Sequence, residues 1–322
     1  MIYNVMSTNK VNNLPSPSGE DEKGAFIKSQ DTEEWQDIVF TRPLGLLIAK
    51  AYNHFDIHPN VVTIWGIFWG IIAGILMYWR TWPCTIAAIL LLVWANLHDS
   101  ADGQLARMTG QRTLIGRLLD GLAGDVWFFC IYLGLVLRMQ QVYGPWVWAL
   151  YAYAGLVAHA RQTALADYYR NIHLWYVLGK ERSELDTWAE EDARYQQLHW
   201  RRGEWFEKLY LFFYRHYTLG QEEQTPQFQA FYHRLREVYG DDVPTDLRQR
   251  FRQESLPLMP LTNILTFDTR VIVLFVSLLV GQPLVFPIFE IAVLEPLRYY
   301  TRRRHEGICQ RFMNELNEHG TQ

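Results

Sequence analysis

Cysteine is scarce in this sequence, and the residues that occur are far apart. Cys84, Cys130 and Cys309 lack the close spacing of zinc ligands or of a redox pair. Neither a disulfide framework nor a zinc site is therefore expected, and we interpret all three as packing residues.

An excess of positive charge is also missing. The chain carries 30 basic and 34 acidic residues, which gives a formal net charge of -4. Nucleic-acid-binding domains usually present a strongly basic surface, so no nucleic-acid partner is expected on charge grounds.

The beginning of the sequence lacks the pattern of a secretory signal. Its first 40 residues are polar and contain no basic start followed by an apolar core. We predict that residues 1–40 form a flexible polar N-terminus on the cytoplasmic side.

The mean hydropathy is near zero, but this average combines two kinds of segment. Stretches such as residues 61–79 carry almost no charge, whereas residues 180–252 are dense in Glu, Asp, Arg and Gln. A helix of about 20 mostly apolar residues spans a hydrocarbon layer roughly 30 Å thick. The sequence therefore predicts an all-α polytopic membrane protein.

We predict six transmembrane helices, and the fifth is the shortest. It would place Asp268 and Arg270 at a boundary or in a cavity. With the N-terminus inside, most flanking arginines fall on the cytoplasmic side, including Arg302, Arg303 and Arg304, as the positive-inside rule requires. The predicted spans are residues 61–79, 83–97, 116–137, 145–164, 270–281 and 284–300.

Before the first span, residues 41–57 are predicted to form an amphipathic helix at the membrane interface. Apolar residues recur on one helical face, and Pro43 suits the first turn. The alternative is an ordinary amphipathic helix packed on a soluble domain. The residues of the predicted face are Leu44, Leu47, Ile48, Ala51 and Phe55.

A polar insertion separates the fourth and fifth spans. Ser183 and Asp186 resemble a capping box, and aromatic and leucine residues recur at near-helical intervals after it. We predict a cytoplasmic helical subdomain there. After the segments 1–40 and 41–57, the predicted division of the chain is 58–164 for helices 1–4, 165–262 for the insertion, 263–304 for helices 5–6 and 305–322 for a cytoplasmic tail.

The stretch from His98 to Asp125 is the most informative for chemistry. Asp99 and Asp102 are three residues apart and share a helical face, and Asp120 follows at the start of the next span. Such carboxylates suit Mg²⁺ or Mn²⁺, and a pair of ions can bridge a pyrophosphate. The alternative is a set of solvated carboxylates paired with nearby arginines.

Small residues and one arginine accompany these aspartates. Gly103, Ala106 and Gly116 remove side-chain bulk where a nucleotide would lie close to the helices. Arg107 suits a phosphate or one of the aspartates. We therefore predict a nucleotide-binding surface beside the carboxylates.

This pattern resembles the signature of the CDP-alcohol phosphotransferase family, D-x2-D-G-x2-A-R-x8-G-x3-D-x3-D. The seven positions that match it in identity and spacing are Asp99, Asp102, Gly103, Ala106, Arg107, Gly116 and Asp120. The segment HPNVVT at 58–63 is similar to the family's opening of its first span. The resemblance implies that an acceptor hydroxyl attacks the β-phosphorus of a CDP-linked donor and that CMP leaves. It also implies two metal ions held by Asp99, Asp102, Asp120 and a final aspartate.

One position departs from the signature. The final aspartate should be residue 124, but Gly124 stands there and the carboxylate is Asp125. The resemblance assigns metal binding and deprotonation of the acceptor to this aspartate. A π-bulge over residues 121–124 would return Asp125 to the site. Otherwise His98 would be the base, or the protein would be an inactive homologue.

Three separate arginines near the ends of the later spans look like the family's pocket for a phosphorylated acceptor. They are Arg161, Arg270 and Arg298, and the alternative for them is positive-inside anchoring. Glu295 lies on the same face as Arg298 and is placed to orient it. Glu290 is predicted to face the bundle interior or a subunit interface.

The resulting functional prediction is a phospholipid-synthesis enzyme in a bacterial inner membrane, with its active site on the cytoplasmic side. The leading donor is CDP-diacylglycerol, the leading acceptor is inositol phosphate, and a homodimer is considered. Transfer from a CDP-choline or CDP-ethanolamine type of donor to a lipid alcohol is the alternative within the family. A membrane transporter is the alternative from another class.

Overall fold

The computed structural model describes residues 31–111, 113–178, 185–201, 203–240 and 242–319, and within these ranges it contains helices and turns but no strand. The α-helices, α1 to α14 in chain order, are Arg42–His54, Pro59–Leu76, Trp82–Thr109, Leu114–Tyr143, Val147–Ala152, Ala160–Leu178, Trp188–Gln197, Trp205–Gln224, Pro226–Tyr239, Thr245–Ser255, Met259–Ile264, Phe267–Leu279, Val285–Phe289 and Glu295–His319. Short π-helical segments occupy Asp37–Thr41, Tyr153–His159 and Glu290–Leu294, and a 3-10 turn occupies Leu256–Leu258.

Four segments in the described part of the chain are long and apolar enough to cross a membrane. They are Pro59–Leu76, Trp82–Thr109, Ile115–Tyr143 and Thr245–Leu279. The first three correspond to α2, α3 and α4, and the fourth includes α12, which carries the predicted fifth span. The all-α polytopic membrane fold is therefore confirmed.

The predicted fourth and sixth spans are interrupted helices. The π segment Tyr153–His159 separates α5 from α6, and Glu290–Leu294 separates α13 from α14. Both still pack in the bundle, because Tyr151 and Phe286 belong to the same buried core as Leu274. The number of six spans is not confirmed.

Close approach of α2 and α4 depends on glycine. A methyl group on Gly70 would lie 2.0 Å from the Trp127 ring, and one on Gly134 would lie 2.2 Å from the carbonyl oxygen of Gly74. Such distances leave no room for any side chain, and small residues are the usual means of close packing between membrane helices. Cys130 also packs here, since a methyl group on Gly74 would lie 2.5 Å from its Cβ.

The helix α1 packs on α3 through a narrow stripe. Gly45 and Ala49 are buried, and the Gln104 side chain of α3 donates to the Arg42 carbonyl oxygen at 3.0 Å. The predicted apolar face is divided: Leu47 is 67% exposed and Phe55 is 71% exposed, whereas Ile48 packs against the buried cluster that contains Ala49. This orientation suits a helix that lies in a membrane interface.

The insertion packs around the parts of α6 and α14 that extend beyond the bundle. Its aromatic core combines Tyr169 of α6, Phe228 and Phe231 of α9, Phe251 of α10 and Phe312 of α14. The predicted C-terminal tail is thus helical and packed over residues 305–319, since α14 continues without a break.

The helix α7 opens with a capping box, but not with the predicted pair. Thr187 and Glu190 form it, and Asp186 instead accepts a hydrogen bond from Tyr214 at 2.9 Å. Ser183 lies outside the described residues.

Candidate active site

Three carboxylates from two helices meet where α3 and α4 lie side by side. Asp99 and Asp102 lie on α3, Asp120 lies in the second turn of α4, and one oxygen from each lies within 4.8 Å of the others. Ligands on opposite sides of a Mg²⁺ ion are about 4.2 Å apart, so oxygens at this spacing suit a shared cation. The structure brings together the three aspartates that the sequence singles out.

The surroundings of Asp102 fit a positively charged ligand. Its side chain is buried at 4% exposure, and its Oδ2 atom makes no hydrogen bond within the described part of the chain. Thr63 and the backbone N–H of Gly103 approach the carboxylate, and Arg107 contributes positive charge. Asp99 and Asp120 interact directly with each other. Carboxylates held this close repel one another unless a cation or a proton intervenes, so this donor set fits a divalent metal ion.

The small residues of the motif have two different roles. A methyl group on Gly103 would meet its nearest atom, Nη1 of Arg107, at 3.5 Å, so the helix surface there is open except for that guanidinium. A methyl group on Gly116 would lie 2.7 Å from Oδ1 of Asn60. Gly116 therefore packs closely on the Asn60 side chain of α2, whereas Gly103 borders open space. Ala106 is half-buried one turn after Asp102.

Thr113 and Asn60, which were not predicted as site residues, hold α4 and α2 together beside the aspartates. Thr113 caps α4 by accepting a hydrogen bond from the Gly116 N–H at 2.9 Å, and its hydroxyl donates to Oδ1 of Asn60 at 3.1 Å. The preceding His58 accepts from the Asn60 N–H at 3.1 Å as α2 begins. In the sequence, a Thr immediately before an apolar run indicates such a helix N-cap, and Thr113 fits that pattern.

The predicted π-bulge in α4 is wrong. Over its full length, Leu114–Tyr143, the backbone of α4 is a regular α-helix. Each residue turns such a helix by about 100°, so the residue in line with Asp120 one turn later is Gly124 and not Asp125. Asp125 is exposed and, among the described residues, does not join the three carboxylates that lie within 4.8 Å. It lies instead near Tyr217 of α8, whose pKa is raised by burial, by Asp167 and, to a smaller extent, by Asp125.

His98 faces α1. Its Nδ1 atom lies 2.8 Å from the Trp94 carbonyl oxygen, which can only accept, so Nδ1 carries the hydrogen. Its Nε2 atom lies 2.9 Å from the Tyr52 hydroxyl, which then donates to it. Both ring nitrogens are thus engaged within the protein, and the imidazole is 1% exposed. This geometry suits a residue that joins α1 to α3.

Arg270 is fully buried in a polar group of its own. Its guanidinium binds Oε1 of Glu290 at 2.5 Å, Oε1 of Gln162 at 2.7 Å and the Leu265 carbonyl oxygen at 3.0 Å. Glu290 also accepts a hydrogen bond from Tyr132. Glu290 therefore faces the bundle interior, which decides between the two predicted locations.

Arg298 belongs to the same chain of contacts. Its Nε atom lies 3.0 Å from each oxygen of Glu295, and its Nη1 atom donates to Gln224 at 2.8 Å. Gln162 links the two arginines, because its amide also donates to Oε2 of Glu295 at 3.0 Å. Glu295 thus orients Arg298, as the spacing indicated. Arg161 is exposed beside this chain, and its charge acts on Glu295.

Comparison with known proteins agrees with the motif. Residues 56–176 match the model of the family described as CDP-alcohol phosphatidyltransferase, which confirms the resemblance drawn from the sequence. An uncharacterized protein from Aquifex aeolicus (strain VF5) is 32% identical over 73 residues, which cover 23% of this chain and 36% of that protein. The matched family range contains all three aspartates of the cluster.

Proposed function

We propose that this chain transfers a substituted phosphate group from a CDP-alcohol to an alcohol acceptor and releases CMP. One observation carries the proposal: three carboxylates from adjacent helices of the family-matched range place oxygens within 4.8 Å of one another. The family description implies transfer of a phosphatidyl group, so the proposed donor is CDP-diacylglycerol.

Asp99, Asp102 and Asp120 would hold the metal, with Mg²⁺ or Mn²⁺ as the proposed ions and two ions as the proposed number. When bound, such ions neutralise the charge that develops on a pyrophosphate as it is cleaved. Arg107 is proposed to bind a donor phosphate beside the open surface at Gly103.

The proposed proton acceptor is Asp125. On a regular helix it is rotated by about 140° from Asp120, so it would act from a neighbouring face and not as a ligand of the same ions. Its exposure leaves the carboxylate accessible to an acceptor hydroxyl. His98 is assigned a positioning role in this scheme, because both of its ring nitrogens are already engaged.

The proposed acceptor carries a phosphate, and inositol phosphate is the leading candidate. Arg161 is the exposed member of the arginine set and would contact that phosphate. Arg298 would support this contact from behind, with Glu295 fixing its guanidinium. The sequence predicts Arg270 as a third member, but its guanidinium is fully buried and bound by Glu290 and Gln162, so it is assigned a structural role. An exposed guanidinium at Arg161 suits an anionic acceptor better than a neutral lipid alcohol.

We propose a bacterial inner membrane as the location and the cytoplasmic side as the position of the cluster. Supporting this, Arg107 and Arg117 lie at the same end of α3 and α4 as the aspartates, on the side that the positive-inside rule assigns to the cytoplasm. A homodimer stays a prediction.

An assay of CMP release with purified protein tests this function. CDP-diacylglycerol should release CMP with inositol phosphate or glycerol phosphate, and CDP-choline with diacylglycerol should release far less. If the protein preferred CDP-choline with diacylglycerol, the proposed donor and acceptor would be wrong. If no pair of substrates released CMP, the proposed transferase activity would be refuted.

A further inference from the structure

A second group of carboxylates lies outside the family-matched range. Glu34 and Asp37 precede α1, Asp268 lies in the first turn of α12, and one oxygen from each lies within 4.8 Å of the others. Asp268 is distant in sequence from Glu34 and Asp37, and none of the three lies within residues 56–176. The group therefore joins the N-terminal segment to α12.

Asp268 shows that this group is incomplete without a ligand. The residue is 9% exposed, and its Oδ2 atom is buried without a hydrogen-bond partner among the residues that the structure describes. A buried oxygen that has lost water and gained no donor destabilises the fold, and more so if the group is charged. The position of Asp268 at the start of α12 offsets only part of this cost.

The positive charge near Glu34, Asp37 and Asp268 is too small to balance their negative charge. Arg170 donates to Oε1 of Glu34 at 2.8 Å, and the Thr266 hydroxyl approaches the same oxygen at 2.5 Å. Arg42, the other nearby arginine, is paired with Glu33 at 2.7 Å. Arg42 also acts on Asp37, so among the described residues two guanidinium groups face four carboxylates when Glu33 is included. Burial raises the pKa of Glu34 and of Asp37, as expected for acids with too little compensating charge.

We propose that Glu34, Asp37 and Asp268 bind a divalent cation that is separate from the ions of the Asp99, Asp102 and Asp120 cluster. Carboxylate oxygens are the ligands that Mg²⁺, Mn²⁺ and Ca²⁺ prefer, and opposite ligands of such ions lie about 4.2–5.2 Å apart. A single divalent ion would balance the excess negative charge and give the Oδ2 atom of Asp268 a partner.

The site fixes the N-terminal segment beside the first cluster. Asp31 already ties this segment to His173 at 3.1 Å and to Arg252 at 2.7 Å. The cation adds an attachment to α12 at the other end of the segment. Asp37 is close enough to Asp99 for the two charges to interact, so the ion also reduces repulsion at the first cluster.

The test counts bound Mn²⁺ by equilibrium dialysis and electron paramagnetic resonance on the purified full chain. The background variant carries Asp102→Asn and Asp120→Asn, which weakens the first cluster. This background should retain one Mn²⁺ per chain, and adding Asp268→Asn or Glu34→Gln should remove it. Adding Glu237→Gln, a surface carboxylate on α9, should leave the ion in place.

Thermal unfolding supplies the second readout. Mn²⁺ at 100 times its Kd should stabilise the background variant by about 2.7 kcal/mol, and Asp268→Asn should abolish that shift. Without metal, Asp268→Asn should unfold at the same temperature as its parent or higher, because it removes repulsion.

A background variant that binds no Mn²⁺ would overturn the proposal. Retention of the ion after both Asp268→Asn and Glu34→Gln would also overturn it. No donor or acceptor is used, so this result is independent of whether CMP release is detected.

Discussion

Two charged groups lie within the same helical bundle, and they differ in how their charge is balanced. Arg270 and Glu290 are both fully buried, and each is held by partners from within the protein. Asp99, Asp102 and Asp120 instead set like charges together, with Asp102 Oδ2 buried and unpaired. Buried charge is costly unless it is paired, so the first group is complete by itself, whereas the second, in which Asp102 is buried, fits a cation.

The largest expected effect follows from removing a ligand at the aspartate cluster. Asp99→Asn, Asp102→Asn or Asp120→Asn should each abolish CMP release, because each removes a metal-binding oxygen at nearly constant volume. Folding should be retained or improved, since like-charge repulsion falls. Size-exclusion profiles and thermal unfolding check the fold, and Asp56→Asn at an exposed turn is the matched control. If any of the three variants turned over at the wild-type rate, the aspartate cluster would not need a cation, and it would no longer differ in this way from the Arg270 and Glu290 pair.

Asp125→Asn should have the next largest effect. Loss of a general base costs about 10² to 10⁴ in turnover, and donor binding should change little because Asp125 lies outside the cluster. His98→Ala should affect turnover less and stability more, since it removes the contact with Tyr52. Steady-state kinetics of both variants make the comparison. An Asp125→Asn enzyme with full kcat would exclude this residue as the base.

Arg270→Ala should mainly destabilise the fold. Removing one partner of a buried ion pair leaves the other uncompensated and costs about 3–5 kcal/mol. A double variant, Arg270→Met with Glu290→Gln, should recover part of that loss because no unpaired charge remains. Denaturant unfolding in detergent measures both. If the single variant is as stable as wild type, the pair is not the self-sufficient group described above.

Arg161→Ala should have the smallest effect. A hydrogen bond to a charged group contributes about 1.5–3 kcal/mol, so the KM for a phosphorylated acceptor should rise by about 10-fold or more, while the KM for the donor stays within twofold. Arg303→Ala, an exposed arginine on α14, is the control. Equal changes in both KM values would indicate a structural role for Arg161.

Local sequence patterns predicted the aspartate cluster well because its geometry is local. Asp99 and Asp102 are neighbours on α3 through helical periodicity alone, and Asp120 follows one short turn and one helix start later. The long apolar segments predicted α2, α3 and α4 for the same reason.

The remaining features depend on contacts between distant residues. Arg270 meets His159, Gln162 and Glu290 across three separate segments, and no spacing in the sequence encodes that meeting. π-Helical turns do occur, but at Tyr153–His159 and Glu290–Leu294, where they border this buried group, and not in α4. The packing role of Gly116 likewise depends on Asn60 of another helix.

The most direct test is metal-dependent CMP release from CDP-diacylglycerol by the purified wild-type chain. We predict that activity appears with Mg²⁺ or Mn²⁺, disappears in excess chelator, and returns when the metal is restored. Full activity in excess chelator would contradict the central claim that the Asp99, Asp102 and Asp120 cluster works by binding cations.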